Sequence, residues 1–118
     1  MENHKLVLPE HLNQYGYLFG GNLLKWVDEY AWITASLDYP GCNFVTIGLD
    51  KVEFRRSVKK GTILKFITDK SQEGNTSIQY VVSVFRGNSE GDKEELIFST
   101  HVTYVRIDKE GRKISLPK

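Results

Sequence analysis

Between Gly20-Gly21 and Pro40-Gly41 lies a segment that allows few folds. Placed at about 100° per residue, Leu23, Leu24, Trp26, Val27, Tyr30, Ala31, Ile33, Ala35 and Leu37 fall within one arc of about 200°. Asn22, Lys25, Glu29 and Ser36 cluster on the opposite side. The spacing predicts a helix from about Asn22 to Leu37, ended by the Pro-Gly pair. So wide an apolar arc must be covered on more than one side, as a sheet curling around the helix would do. Asp28 breaks the pattern, because a charge there lands on the border of the apolar face.

Most of the remaining chain alternates as strands do. Residues 5–8 read as a short strand stopped by Pro9, followed by a polar turn through Gly16. Residues 42–57 alternate with a defect: Val45, Ile47 and Leu49 share one parity, and Val52 and Phe54 the other. Such a switch predicts a bulge near Asp50. Further strands are expected at 62–70, 76–86 and 95–107, with turns at 72–75 and 108–111 and an exposed hairpin loop at 87–93. Leu96, Phe98, Thr100, Val102 and Tyr104 share one face of the last strand. One strand, one helix and four more strands on short turns predict a single α+β domain spanning 1–118, with an antiparallel sheet. One helix cannot cover both faces of such a sheet. Ile63, Ile67, Val81 and Phe85 lie on the parity opposite the expected core, which points to dimerisation.

Several function classes are disfavoured. The formal charge is +1, so no overall field favours nucleic acid. A single cysteine, Cys42, allows neither an internal disulfide nor a cysteine-rich metal site. His4, His11 and His101 are scattered without metal-ligand spacing; His11 reads as a turn residue and His101 as structural. Leu6-Val7-Leu8 is too short for a signal-peptide core, and no run approaches the ~20 apolar residues of a membrane helix. A cytoplasmic protein without membrane attachment is expected. The Gly-x-Ser-x-Gly nucleophile motif does not occur.

The most informative stretch is 8–32. There Pro9, Asn13, Gly16, Phe19-Gly20-Gly21, Trp26 and Asp28-Glu29 form a pattern that resembles the acyl-CoA hydrolase branch of the hotdog-fold thioesterases. The resemblance continues through Thr46, Asp50-Lys51-Val52-Glu53-Phe54, Gly61, Gly74, Ser77, Val105-Arg106-Ile107-Asp108, Gly111 and Pro117. The chain departs from the family pattern at Ser57-Val58, where Pro-Val is usual, at Thr62, where Asp is usual, and at Tyr15 and Tyr17. The resemblance implies a hotdog fold: about five antiparallel strands curved around one long central helix. It also implies a homodimer with the active site between subunits, with a hexamer built as a trimer of such dimers as the larger assembly that relatives form. Asn13 of one subunit would then face Asp28 of the other.

The residue types suit hydrolysis of acyl-CoA to a free acid and CoA. A helix start presents unpaired N–H groups and partial positive charge, and the Gly20-Gly21 backbone lets a substrate oxygen come close. This is the expected oxyanion hole. Asp28, desolvated at the helix margin, would be a stronger base; it would activate water or attack the carbonyl directly. The resemblance puts the family's catalytic carboxylate at this position. Glu29 faces solvent. Asn13, which the family uses in its site, would orient water or bond the thioester oxygen. Lys51, Arg55, Arg56, Lys59 and Lys60 form a basic cluster suited to the CoA phosphates. Phe54 and the Gly74-Asn75-Thr76-Ser77 turn would complete the nucleotide site by analogy with the family. The substrate is the acyl-CoA itself, with no metal or redox cofactor implied. Two alternatives remain: a non-catalytic acyl-CoA-binding module, and a hydratase or dehydratase of the same fold. The latter uses a helix histidine that residues 22–37 lack.

Overall fold

The computed structural model describes residues 1–87 and 93–117. Five strands, β1 (Glu2–Leu6), β2 (Asn43–Phe54), β3 (Ile63–Glu73), β4 (Ser77–Gly87) and β5 (Glu94–Ile107), form one sheet. Their order is β1-β3-β4-β5-β2, and every pairing is antiparallel. The single α-helix among the described residues, α1 (Gly20–Asp38), packs on the concave face. A short 3-10 turn, Pro9–His11, precedes it.

Period-two burial makes the inner face. Leu64, Phe66 and Thr68 of β3 are buried, as are Ile78, Tyr80, Val82 and Val84 of β4 and Phe98, Thr100, Val102 and Tyr104 of β5. Leu23, Trp26, Val27, Ala31, Thr34 and Ala35 of α1 close against them. The small Ala31 and Ala35 are fully buried and let the helix lie close to the sheet. Polar side chains tie down its C-terminal end. The Tyr80 hydroxyl donates to Asp38 Oδ2 at 2.7 Å, and the Tyr39 hydroxyl donates to Glu73.

The element order is as the sequence predicts; the details differ for physical reasons. The helix starts earlier, at Gly20, because Asn22 and Leu23 already donate their amides to the Phe19 carbonyl. Leu37, expected within the apolar arc, is exposed at the last turn. The first strand lies at Glu2–Leu6 rather than 5–8; Val7 leaves the ladder to bond Gly61 and Thr62. β3 runs on to Glu73, so its turn is shorter than expected. The parity switch in β2 is a double irregularity, between Thr46 and Gly48 and between Asp50 and Glu53. Lys51 sits there with a left-handed φ of 52°. In β5 a register shift opposite Val84/Phe85 buries Ile97 beside Phe98 and leaves Leu96 only half-buried. The expected hairpin loop at 87–93 lies mostly outside the described residues.

β2 is an edge strand, and four of its apolar side chains are exposed: Val45, Ile47, Val52 and Phe54. An edge this long and apolar invites pairing with another strand. Phe66, fully buried and ring-to-ring with Tyr30 at 4.9 Å, tests the helix–sheet core. Phe66→Ala should lower unfolding free energy by about 3–5 kcal/mol, read from the urea midpoint at unchanged slope.

Candidate active site

The start of α1 is shaped by its two glycines. Phe19 is the N-cap residue and makes no side-chain cap, and the Gly20 and Gly21 amides find no acceptor among the described residues. A Cβ on Gly21 would stand 2.7 Å from the Phe19 ring, and one on Gly20 would stand 3.4 Å from the Phe54 ring. Gly21 therefore makes room for the Phe19 ring, whereas a side chain at Gly20 would merely touch Phe54, beside a pair of unpaired donors. Phe54 is braced by Phe98, with centroids 4.7 Å apart.

An open groove of about 380 Å³ runs along this helix start, lined by residues that include Asn13, Tyr17, Gly20, Phe54, Arg55 and Arg56. The fold thus gathers Gly20, the predicted asparagine and two predicted arginines in one groove, with Gly21 next in the chain. Asn13 Oδ1 accepts the amides of Tyr15 at 2.9 Å and Tyr17 at 3.1 Å, closing the tight turn around Gly16. Its carbonyl oxygen is thereby occupied, so the free part of the side chain is the Nδ2 donor. The preceding segment is locked to the helix, since the His11 carbonyl accepts from the Phe19 amide at 2.9 Å and from Asn22 Nδ2 at 3.0 Å. The His11 ring is structural, accepting the Leu8 amide at 2.9 Å and meeting Trp26 edge-on.

Asp28 lies further along α1, half-buried against the sheet. Two hydroxyls converge on its Oδ1: Thr46 Oγ1 of β2 and Tyr104 Oη of β5, each at 2.8 Å. The Tyr104 hydroxyl also reaches the Asp28 backbone carbonyl at 2.7 Å. No donor meets Oδ2 among the described residues. The sequence reading gave Tyr104 no role, seeing only an inward position in β5. It named Thr46 without assigning it a task. A buried tyrosine needs a partner for its hydroxyl, which was the available signal. Glu29 is exposed, as expected.

Asp28 and the glycines of one chain cannot serve one carbonyl. Eight residues of helix from Gly20 to Asp28 span about 12 Å, whereas both must come within about 3 Å of the reacting group.

The predicted phosphate-binding residues are also split. Arg56 Nε meets Glu95 at 2.9 Å and Arg86 meets the same carboxylate at 3.2 Å, beside an open basin of about 480 Å³. Arg55 pairs with Glu53 at 2.7 Å. Lys51, Lys59 and Lys60 are exposed, with no carboxylate within 4.0 Å among the described residues. The Gly74–Ser77 turn lies elsewhere. Ser77 pairs with Val105, whereas Phe54 pairs with Phe98. Seven residues along β5 separate the two places by over ~20 Å. One chain does not bring these groups together. At the turn, the Gly74 amide donates to the Ser77 carbonyl at 2.8 Å, Thr76 accepts from Arg106, and Asn75 accepts from Leu116. His101 lies on the outer face, its Nδ1 3.3 Å from Gln79 Oε1. Among the described residues no group of three or more His, Cys, Asp or Glu side chains could hold a metal ion. No helix among the described residues is long and apolar enough to cross a membrane.

Helix-wrapping sheet and glycine-led helix together define a thioesterase-type domain. The family model of the thioesterase superfamily matches residues 15–92, and the chain belongs to that superfamily. It is similar to acyl-coenzyme A thioesterase 11 of Mus musculus, at 29% identity over 101 residues, which is 86% of this chain and 17% of that protein. The chain spans less than two thirds of the length of the curated relatives it matches. Its fold is that of an acyl-CoA hydrolase from Staphylococcus aureus solved with butyryl coenzyme A and coenzyme A. The TM-score is 0.90 at 31% identity, over 99% of this chain and 71% of that one. That hydrolase has also been solved as single alanine variants at an asparagine, an aspartate and a threonine. Its asparagine and aspartate are separated by the same interval as Asn13 and Asp28. A hexameric hotdog-fold thioesterase of Campylobacter jejuni matches with TM-score 0.86 at 31% identity, over 98% of this chain and 88% of that one. The architecture is therefore the hotdog fold.

Burial first, then the bond to Asp28, pushes the Tyr104 phenol well above its ordinary value of 10.0. Burial and Asp38 do the same to Tyr80. Below pH 10 both phenols are neutral folded or unfolded. Above it the unfolded chain alone gains by ionising, so stability falls with rising pH. Urea midpoints should hold steady up to about pH 9 and then decline, less steeply in Tyr104→Phe.

Proposed function

We propose that this chain hydrolyses acyl-CoA thioesters at sites shared by two copies of itself. The observation that carries the reading is the pair of unaccepted amides at Gly20 and Gly21, the first of them in one groove with Asn13 and two arginines. The named activity of the relatives supports it. So does the matching asparagine–aspartate interval in the Staphylococcus aureus hydrolase, whose aspartate and asparagine have been replaced by alanine.

The separation within one chain suggests how the site is completed. Asp28 hangs over Thr46, and Gly20 lies against Phe54, near opposite ends of β2. Antiparallel pairing of β2 with a second β2, about an axis near residue 50, sets Thr46 opposite the partner's Phe54. Asp28 then meets the helix start of the other subunit, where the Gly20 and Gly21 amides receive the carbonyl oxygen. Asn13 Nδ2 donates to that oxygen or to the attacking water. Asp28 acts as general base on water or attacks to form a mixed anhydride, and CoA leaves as the thiol. This chemistry requires no metal or redox cofactor. Arg55, Arg56 and Lys59, with Phe54, take the phosphates at the mouth of the groove. The Gly74–Ser77 turn contributes only from a neighbouring subunit, consistent with assembly into a hexamer such as that of the Campylobacter jejuni thioesterase. A cytoplasmic setting fits the human relative named as a cytosolic acyl coenzyme A thioester hydrolase.

Asp28→Asn should lower CoA release by roughly a hundredfold or more while leaving a measurable residual rate, read by thiol detection across short to long acyl chains, with melting temperature and oligomeric state unchanged. Normal turnover in that variant ends the catalytic assignment. If the wild-type protein releases no CoA from any chain length, a binding module or a hydratase is the better reading. Ile47→Lys, on the exposed edge of β2, should yield monomers by light scattering and lose turnover at least tenfold. An active monomer would rule out the shared site.

A further inference from the structure

Tyr104 is fully buried, and its hydroxyl donates to Asp28, with the Thr46 hydroxyl meeting the same carboxylate. One phenolic hydrogen is shared between the Asp28 backbone carbonyl at 2.7 Å and Oδ1 at 2.8 Å. The carbonyl contact fixes the height of the helix above β5, and the Oδ1 contact fixes the rotation of the carboxylate. Thr46 Oγ1 reaches the same Oδ1 from β2.

We propose that Tyr104 is a positioning residue which, with Thr46, holds Oδ1 of Asp28 and leaves Oδ2 as the oxygen that works on the substrate. The inference rests on the catalytic reading of Asp28 above and adds to it which atom reacts and what aims it. A carboxylate has two equivalent oxygens and turns about its last bond. A base or nucleophile that must act along one line gains from losing that freedom before substrate arrives. Two donors on one oxygen remove it, and the second oxygen has no donor among the described residues. Burial also keeps the phenol protonated well beyond pH 10, so it remains a donor at any working pH. Phe44 and Tyr80 pack edge-on against the ring, with centroids at 6.4 and 6.5 Å, and hold it upright.

Tyr104→Phe keeps the ring and removes the hydroxyl. It should lower kcat roughly tenfold with KM within about twofold, because ground-state binding does not use the aimed oxygen. A purely structural hydroxyl would instead leave kcat per folded site unchanged and lower only the melting temperature. Circular dichroism and light scattering establish that the variant folds and assembles. The decisive comparison is the double variant. In an Asp28→Asn background, Tyr104→Phe should not reduce the residual rate further, since the group it aims is already gone. Full kcat in Tyr104→Phe, or an equal further loss in the Asp28→Asn background, overturns this proposal. A fully active Asp28→Asn protein, or a wild-type protein that releases no CoA, overturns instead the catalytic reading beneath it, so the two failures are told apart.

Discussion

Everything in this molecule depends on one helix being held in the concave face of a sheet. Apolar burial supplies the force, since Val27, Ala31 and Ala35 are fully buried against Phe66, Val82, Val102 and their neighbours. Burial alone does not fix how far along the groove the helix sits or how it is rotated. Directed bonds do that: Tyr80 to Asp38 near one end, Tyr104 to Asp28 in the middle, and the His11 carbonyl to Phe19 and Asn22 at the start. The helix is thus registered against the sheet as a strand is against its neighbour. Hydrogen-bond angles tolerate little sliding.

That registration sets the chemistry. The sheet places hydroxyls on one oxygen of Asp28, and the glycine pair leaves two amides unclaimed at the helix start. These groups are about 12 Å apart along one helix, which is why the proposed site joins them from two chains. The same β2 strand carries the anchor for each, Thr46 for Asp28 and Phe54 for Gly20. Its long exposed edge offers unpaired backbone groups to the proposed twofold pairing. Arg56 and Arg86 share Glu95, which holds two guanidinium groups beside the groove without neutralising both.

Much of this was legible in the residues. The wide apolar arc foretold a helix covered on several sides, and the parity switch near Asp50 foretold the irregularity that the structure has at Lys51. The end of β3 and the burial of Ile97 were not legible. A register shift depends on the neighbouring strand, and alternation within one strand carries no record of it. For the site, Asn13, Gly20, Phe54, Arg55 and Arg56 do line one groove. The Gly74–Ser77 turn does not join them within a chain, because strand length separates the two ends of the sheet. Thr46 and Tyr104 gained meaning only when the fold set them against Asp28.

By itself the sequence determined the class of fold, the family and the short set of groups able to carry the chemistry. Those follow from local periodicity, from glycine placement and from residue identity. Tertiary structure decided which atom of each group is free. Asn13 is left with a donor and Asp28 with one oxygen, and the helix start is left with two amides. The reason is physical: hydrogen bonds are satisfied by partners distant in the chain, and only folding reveals which polar atoms are already taken.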